Sequence, residues 1–285
     1  VINLSLFESV SVEFAGAPGT GKSTLVSELE KIDQNYITLD DVYRRSAIKG
    51  LTLEYPIFSN RFFSILLKAS PLGLIRYGVS RITGLNSRMI IRYSEKFPDS
   101  LRTFEKLAKK YPSDDVRRVS ALNMILPTID KYMITEKYWE NGKILLIDEG
   151  FVQRGGSIFT PPEPSKEISE EDVAVYSENI SVPDLLILLK VDPEIAESRL
   201  KKRAEAYHSE YEKLNKREMM ERIKRYDRFF DIISKVLRAR DVKVVEIDAD
   251  RDIDVVVQEV DATIKKAVDL KDGKINLTDD QSSGG

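Results

Sequence analysis

The chain of 285 residues has no cysteine, one histidine and one tryptophan. Without cysteine there is no disulfide framework, no thiol nucleophile and no thiolate-bound metal. His208 is the single histidine, so no imidazole cluster can hold a metal, and a Ser-His-Asp triad is disfavoured. An excess of one charge is also missing: 44 Lys and Arg face 47 Asp and Glu, a net charge of −3. That balance argues against a chain built throughout to coat nucleic acid. No uncharged apolar run reaches the ~18 residues that a membrane span needs; the nearest stretch, 62–79, is broken by Lys68 and Arg76. Val1 to Glu8 lack a basic start and a small-residue cleavage site, so a soluble, cytoplasmic protein is expected. Hydrophobic residues make up 42% and charged residues 32%, which suits a sizeable core in a single domain over 1–285. Chemistry must then come from carboxylates, Lys and Arg, backbone amides and a bound ion.

What is present is a phosphate-loop pattern. Gly16, Ala17, Pro18, Gly19, Thr20, Gly21, Lys22, Ser23 and Thr24 fit G-x-x-x-x-G-K-[ST]. Glycines permit backbone geometry that turns successive N–H groups toward phosphate oxygens. Lys22 brings a point charge to the terminal phosphates, and the Ser23 hydroxyl can ligate Mg²⁺. Val10 to Ala15 read as the preceding strand, while Leu25, Val26, Leu29 and Ile32 recur at helical spacing behind the loop. Glu13 is discordant, because a central parallel strand is apolar on both faces. It is either a polar group at the strand's end facing the site or a hydrogen-bonded buried residue.

Four further apolar runs end in acid. Tyr36 to Leu39 leads into Asp40 and Asp41, Ile144 to Ile147 into Asp148 and Glu149, Leu185 to Val191 into Asp192, and Val242 to Ile247 into Asp248. Helical patterns between them indicate a parallel α/β sheet whose carboxyl edge gathers these carboxylates. Asp148 is the natural second anchor for Mg²⁺. Glu149 could accept a proton from an acceptor hydroxyl, orient a water or bind substrate.

With these residues in view, the chain resembles the P-loop nucleoside and nucleotide kinases, in their thymidylate-kinase-like branch. The phosphate loop, the segment from Pro183-Asp184 through Arg203, and the ending Glu246 to Asp250 carry the resemblance. It implies a three-layer P-loop NTPase sandwich with about five parallel strands in the order 2-3-1-4-5. It also implies ATP as phosphate donor, Mg²⁺ held by Ser23 and Asp148, and a LID-like segment at 192–217. The family's pattern puts Arg199 and Arg203 near the phosphates with Lys22, Asp148 and Glu149, and Arg199, Asp248 and Ala249 near adenine. The chain departs from thymidylate kinases at Asp148-Glu149-Gly150, where Asp-Arg-Tyr is usual, and at Leu39 to Arg45, where Arg-Glu-Pro-Gly is usual. Deoxythymidine monophosphate is therefore not indicated as the acceptor.

About 100 residues separate the second and third strands, more than a crossover needs. A helical acceptor-binding insert over 43–140 is expected, with helices near 101–111 and 116–139, the second kinked at Pro127. Arg44, Arg45 and Arg154, each just beyond a strand's end, and Asp40 and Asp41 are the acceptor candidates. Residues 55–94 contain Arg61, Lys68, Arg76, Arg81, Arg88 and Arg92 among apolar residues, with no acid from Tyr55 to Ser94. A solvated face, an anionic-acceptor pocket and a weak membrane-surface contact all stay open there. Residues 160–172 read as an exposed loop and 271–285 as a disordered tail. An ATPase using Asp148-Glu149, a kinase of lipid-linked or glycan acceptors, a non-turning scaffold and a homodimer also stay open. Guanine recognition is not indicated, since Asn215-Lys216 lies inside a helical pattern.

Overall fold

Alternation along each strand sorts side chains between two layers. The computed structural model describes residue 7 and residues 9–54, 85–139, 142–161, 166–207 and 214–271. Strands β1 (Ser11–Ala15), β2 (Tyr36–Thr38), β3 (Ile144–Ile147), β4 (Leu185–Lys190) and β5 (Lys243–Asp248) form one sheet in the order β2-β3-β1-β4-β5. Every pairing is parallel, and the order matches the expectation. β1 lies at the centre, with Val12 opposite Leu146 and Leu185, and Glu13 opposite Ile147 and Leu186.

Val12 and Phe14 bury against Leu25, Val26 and Leu29 of α1 (Lys22–Ile32) and Val257, Val260 and Ile264 of α10 (Ile253–Lys271). Each such fully buried side chain contributes about 1.5–3 kcal/mol relative to exposure. Ala15, Leu145, Ile147, Leu186 and Leu188 face the opposite layer. That layer holds α2 (Leu39–Glu54), α3 (Leu85–Lys96), α4 (Ser100–Lys110), α5 (Asp115–Tyr138), α6 (Phe151–Phe159), α7 (Glu170–Glu178) and α9 (Lys216–Arg238). α8 (Pro193–Tyr207) follows β4, with Asp192 Oδ1 accepting the Glu194 N–H at 2.8 Å as its cap. The sandwich of helix, sheet and helix is the expected one. Asp184, just before β4, ties that strand to β1, because its Oδ2 accepts both the N–H and the hydroxyl of Ser11 at 2.8 Å.

Several local expectations change. Leu39 begins α2 and does not end β2, because the Thr38 hydroxyl caps the helix by accepting the Asp41 N–H at 3.3 Å. Asp40 and Asp41 then sit in the first helical turn, where negative charge is favoured. The segment expected to be a loop to Asp172 turns helical at Glu170, since the Ser169 side chain caps α7 and three acids fill its first turn. α5 carries Pro127 in its interior, as expected, whereas Lys271 closes α10 where a tail was expected. Residues 55–84, including Arg61, Lys68, Arg76 and Arg81, lie outside the described residues, as do 208–213 of the LID-like segment and 272–285.

Candidate active site

The loop between β1 and α1 bends through positive φ at Gly16 (153°), Gly19 (90°) and Gly21 (89°). Space as well as conformation demands glycine at two of these: a Cβ on Gly16 would lie 2.7 Å from the Leu189 carbonyl oxygen, and one on Gly19 would lie 2.6 Å from that of Ala196. The second contact shows α8 packed directly on the loop. The Thr20 hydroxyl donates to the Ala17 carbonyl at 2.9 Å, tightening the turn. The Lys22 ammonium donates to the carbonyls of Gly16 (2.9 Å) and Ala17 (3.2 Å). Burial pushes it down to about 8, against the charges of Asp148 and Glu149, which raise it; the Arg203 charge lowers it further. Lys22, Asp148, Glu149 and Arg203 therefore share one electrostatic site. Ser23 and Thr24 open α1 at its exposed end.

Asp148 follows β3 and is partly buried. Burial raises its carboxyl from the usual value, while a hydrogen bond to the Ser23 side chain and the charge on Lys22 lower it and the Glu149 and Asp40 charges raise it. Its Oδ1 is buried with no hydrogen-bond partner among the described residues. A hydroxyl and a leftover carboxylate oxygen form a hard-oxygen donor pair that fits Mg²⁺. Among the described residues no three His, Asp or Glu side chains converge as a metal site, so phosphate and water oxygens would have to complete such an ion's shell.

Glu149 is exposed and forms an ion pair with Arg154 of α6. Arg154 therefore sits on a helix beside the turn, and its second branch approaches Met124 Sδ at 3.6 Å. Asp40 pairs with Lys131 of α5. Two ion pairs thus tie α2 to α5 and the turn after β3 to α6 at this edge of the sheet. Asp41 is half-buried, Arg44 half-buried and Arg45 exposed along α2.

On the far side of the loop, exposed Arg199 donates to the Ala249 carbonyl at 3.4 Å, joining two residues that the sequence offers 50 positions apart. Ala249 is itself held by donating to the Lys190 carbonyl at 2.8 Å. Asp248, the last residue of β5, is exposed and accepts the Asp250 N–H at 3.0 Å.

Sequence reasoning passed over Lys131, Met124 and Gln153. Gln153 of α6 accepts the Gly16 N–H at 3.1 Å, and no sequence pattern signals it. Glu13 was signalled by its charge in an apolar strand. It is fully buried, and its Oε1 accepts the Gln153 N–H at 2.8 Å.

Fold and site together define a parallel α/β protein with a glycine loop, a lysine and a downstream aspartate at the carboxyl edge of its sheet. No protein-family model matches the chain, and no curated protein matches it. Among solved structures, deoxyadenosine kinase from M. mycoides with bound dATP aligns with 17% identity and a TM-score of 0.45, over 90% of this chain and 100% of that one. The same enzyme with bound dCTP aligns at 16% identity and a TM-score of 0.42, with the same coverage. No helix among the described residues is long and apolar enough to cross a membrane.

Proposed function

We propose that the protein is an ATP-dependent phosphotransferase that moves the γ-phosphoryl group of Mg-ATP to a hydroxyl or phosphate of a small-molecule acceptor. One observation carries this reading: the Asp148 carboxyl meets the Ser23 hydroxyl behind the phosphate loop, beside Lys22, and keeps a buried oxygen unpartnered among the described residues. That is the arrangement through which P-loop proteins hold a metal–polyphosphate. Bound there by Ser23 and Asp148, Mg²⁺ would supply charge neutralisation on the phosphate oxygens.

The chain's own residues divide the work. Loop amides from Gly16 to Thr24 bind the polyphosphate, aided by the positive end of α1. Lys22 and Arg203 stabilise charge that develops as the phosphoryl group transfers in line. Arg199 and the backbone of Asp248 and Ala249 border the place for the base. Glu149, exposed toward the acceptor side, accepts the acceptor's proton, and Arg154 orients it. Asp40, Asp41, Arg44, Arg45 and Arg154 bind the acceptor.

The test is ADP release measured with and without a panel of nucleosides, nucleoside monophosphates, sugars and lipid-linked glycans. Acceptor-stimulated release is expected. Release that is indifferent to every acceptor would instead make the protein an ATPase using Asp148 and Glu149. Lys22→Ala should lower turnover by about 10²–10³-fold, the usual cost of losing one preorganised charge donor, with its circular dichroism spectrum unchanged.

A further inference from the structure

The phosphotransfer scheme gives Glu13 no role, although it is wholly buried at the centre of the sheet. Alternation along β1 sends its side chain to the α6 layer, on the opposite face from Val12 and Phe14. There it meets the start of α6, whose first amides have no partner within their own helix. The preceding residue, Gly150, has no side chain with which to cap them. Glu13 does so from the sheet: its Oε1 accepts the Gln153 N–H at 2.8 Å, and the Val152 N–H also bonds to the carboxylate. The remaining amide, Phe151 N–H, bonds to the Tyr132 hydroxyl of α5.

This remote cap explains the glycine in Asp148-Glu149-Gly150. A Cβ on Gly150 would lie 2.4 Å from the Glu13 carboxyl carbon and 2.6 Å from the Tyr132 hydroxyl. With α6 fixed in this way, the Gln153 carboxamide reaches back to the phosphate loop, where it accepts the N–H of buried Gly16 at 3.1 Å. Gln153 is therefore clamped twice to one stretch of chain, by its backbone to Glu13 and by its side chain to Gly16.

We propose that Glu13 and Gln153 are positioning residues that lock the phosphate loop to the turn carrying Asp148 and Glu149. Glu13 caps α6 from within the sheet, and Gln153, aimed by that cap, holds the first amide of the loop. Donor side and acceptor side then keep a fixed separation, which in-line transfer requires. The proposal rests on the phosphotransfer reading only where nucleotide binding is used to detect it.

Three variants test it: Gln153→Ala, Glu13→Gln and Glu13→Leu, with Gln153→Ala combined with Glu13→Leu as the double variant. Exchange of the Gly16 amide is followed by NMR in the free protein, and Mg-ATP affinity by calorimetry. Gln153→Ala should speed Gly16 exchange and weaken Mg-ATP by about 3–10-fold, as expected for one hydrogen bond to a buried amide. Glu13→Gln keeps an oxygen for the α6 amides and should stay within about twofold of the parent. Glu13→Leu, at a residue on β1 outside the loop, should reproduce the Gln153→Ala defect, and the double variant should be no worse than the worse single. Unchanged exchange and affinity in Gln153→Ala would overturn the proposal, as would single defects that multiply in the double variant. If Glu13→Leu does not fold, Gln153→Ala decides alone on the same two readouts. If the parent protein binds no Mg-ATP, the phosphotransfer reading fails, while the exchange measurement still decides on the clamp.

Discussion

At the scale of single residues, the burial of Glu13 ties stability to pH. Burial pushes its carboxyl up to about 8 from an ordinary 4.5, outweighing the two backbone amides that pull it down. Its second oxygen has no partner among the described residues, so no cation offsets the desolvation. The folded-state value lies above the unfolded one. Stability from this group is therefore complete below about pH 4.5 and is lost as pH rises through about 8. Glu13→Gln, a neutral mimic of the protonated acid, should remove that dependence. Denaturant midpoints at pH 5.5 and pH 8.5 check this. The variant should gain on the parent at the higher pH by a few kcal/mol, since each pH unit separating the folded and unfolded values is worth about 1.4 kcal/mol. Equal pH slopes for the two proteins would contradict the assignment. The anomaly at position 13 was legible in the sequence. What it caps was not, because the amides lie 140 residues downstream.

Among elements, α6 matters most to the site, and its sequence is a poor helix on paper. Gly155 and Gly156 interrupt it, yet it runs unbroken from Phe151 to Phe159. Both glycines face aromatic side chains: a Cβ on Gly155 would come 2.7 Å from Phe229, and one on Gly156 would come 2.4 Å from Tyr226, both on α9. Two effects compete in Gly156→Ala. Alanine favours the helix by about 1 kcal/mol, while forcing a methyl into a packed aromatic contact costs about 1–3 kcal/mol. At 2.4 Å the steric cost wins, so the variant should melt at a lower temperature, and Mg-ATP affinity should fall as α6 shifts. A raised melting temperature would show that α9 yields.

Element boundaries were legible where local chemistry was explicit, as at Asp192 and Pro193, which start α8 as read. They failed where a short polar side chain decided them: Thr38 starts α2 one residue earlier than the apolar run suggests, and Ser169 turns an acidic stretch helical. Arg154 was legible as lying just beyond a strand's end, but its pairing with Glu149 follows from the helix that carries it.

For the whole molecule, the phosphate loop, α8 and the β5 turn enclose one end of the sheet, and α2, α5 and α6 enclose the other side of the same edge. A ligand that binds this edge only in the folded state stabilises the fold by mass action. Mg-ATP at a hundred times its dissociation constant should add about 2.7 kcal/mol. For a domain this large, that is a rise in melting temperature of roughly 4–5 °C. Asp148→Asn should keep the fold but lose the part of the rise that depends on magnesium. A parent protein whose melting curve ignores Mg-ATP would remove the basis of the phosphotransfer reading.

The sequence by itself determined the strand ladder and the phosphate loop, because short apolar runs, strand-end acids and glycine spacing are local properties of the chain, whereas the order of the strands is set by crossovers that no local pattern records. It also brought forward Lys22, Ser23 and Asp148 as partners, since each lies in a pattern whose chemistry is readable residue by residue. Only the tertiary structure decided what surrounds them. Gln153 meets Gly16 and Lys131 meets Asp40, while Glu13 sits beneath Gly150, because crossovers of the chain bring distant segments to one sheet edge. Such contacts are set by helix packing in three dimensions, which leaves no periodic mark along a single chain.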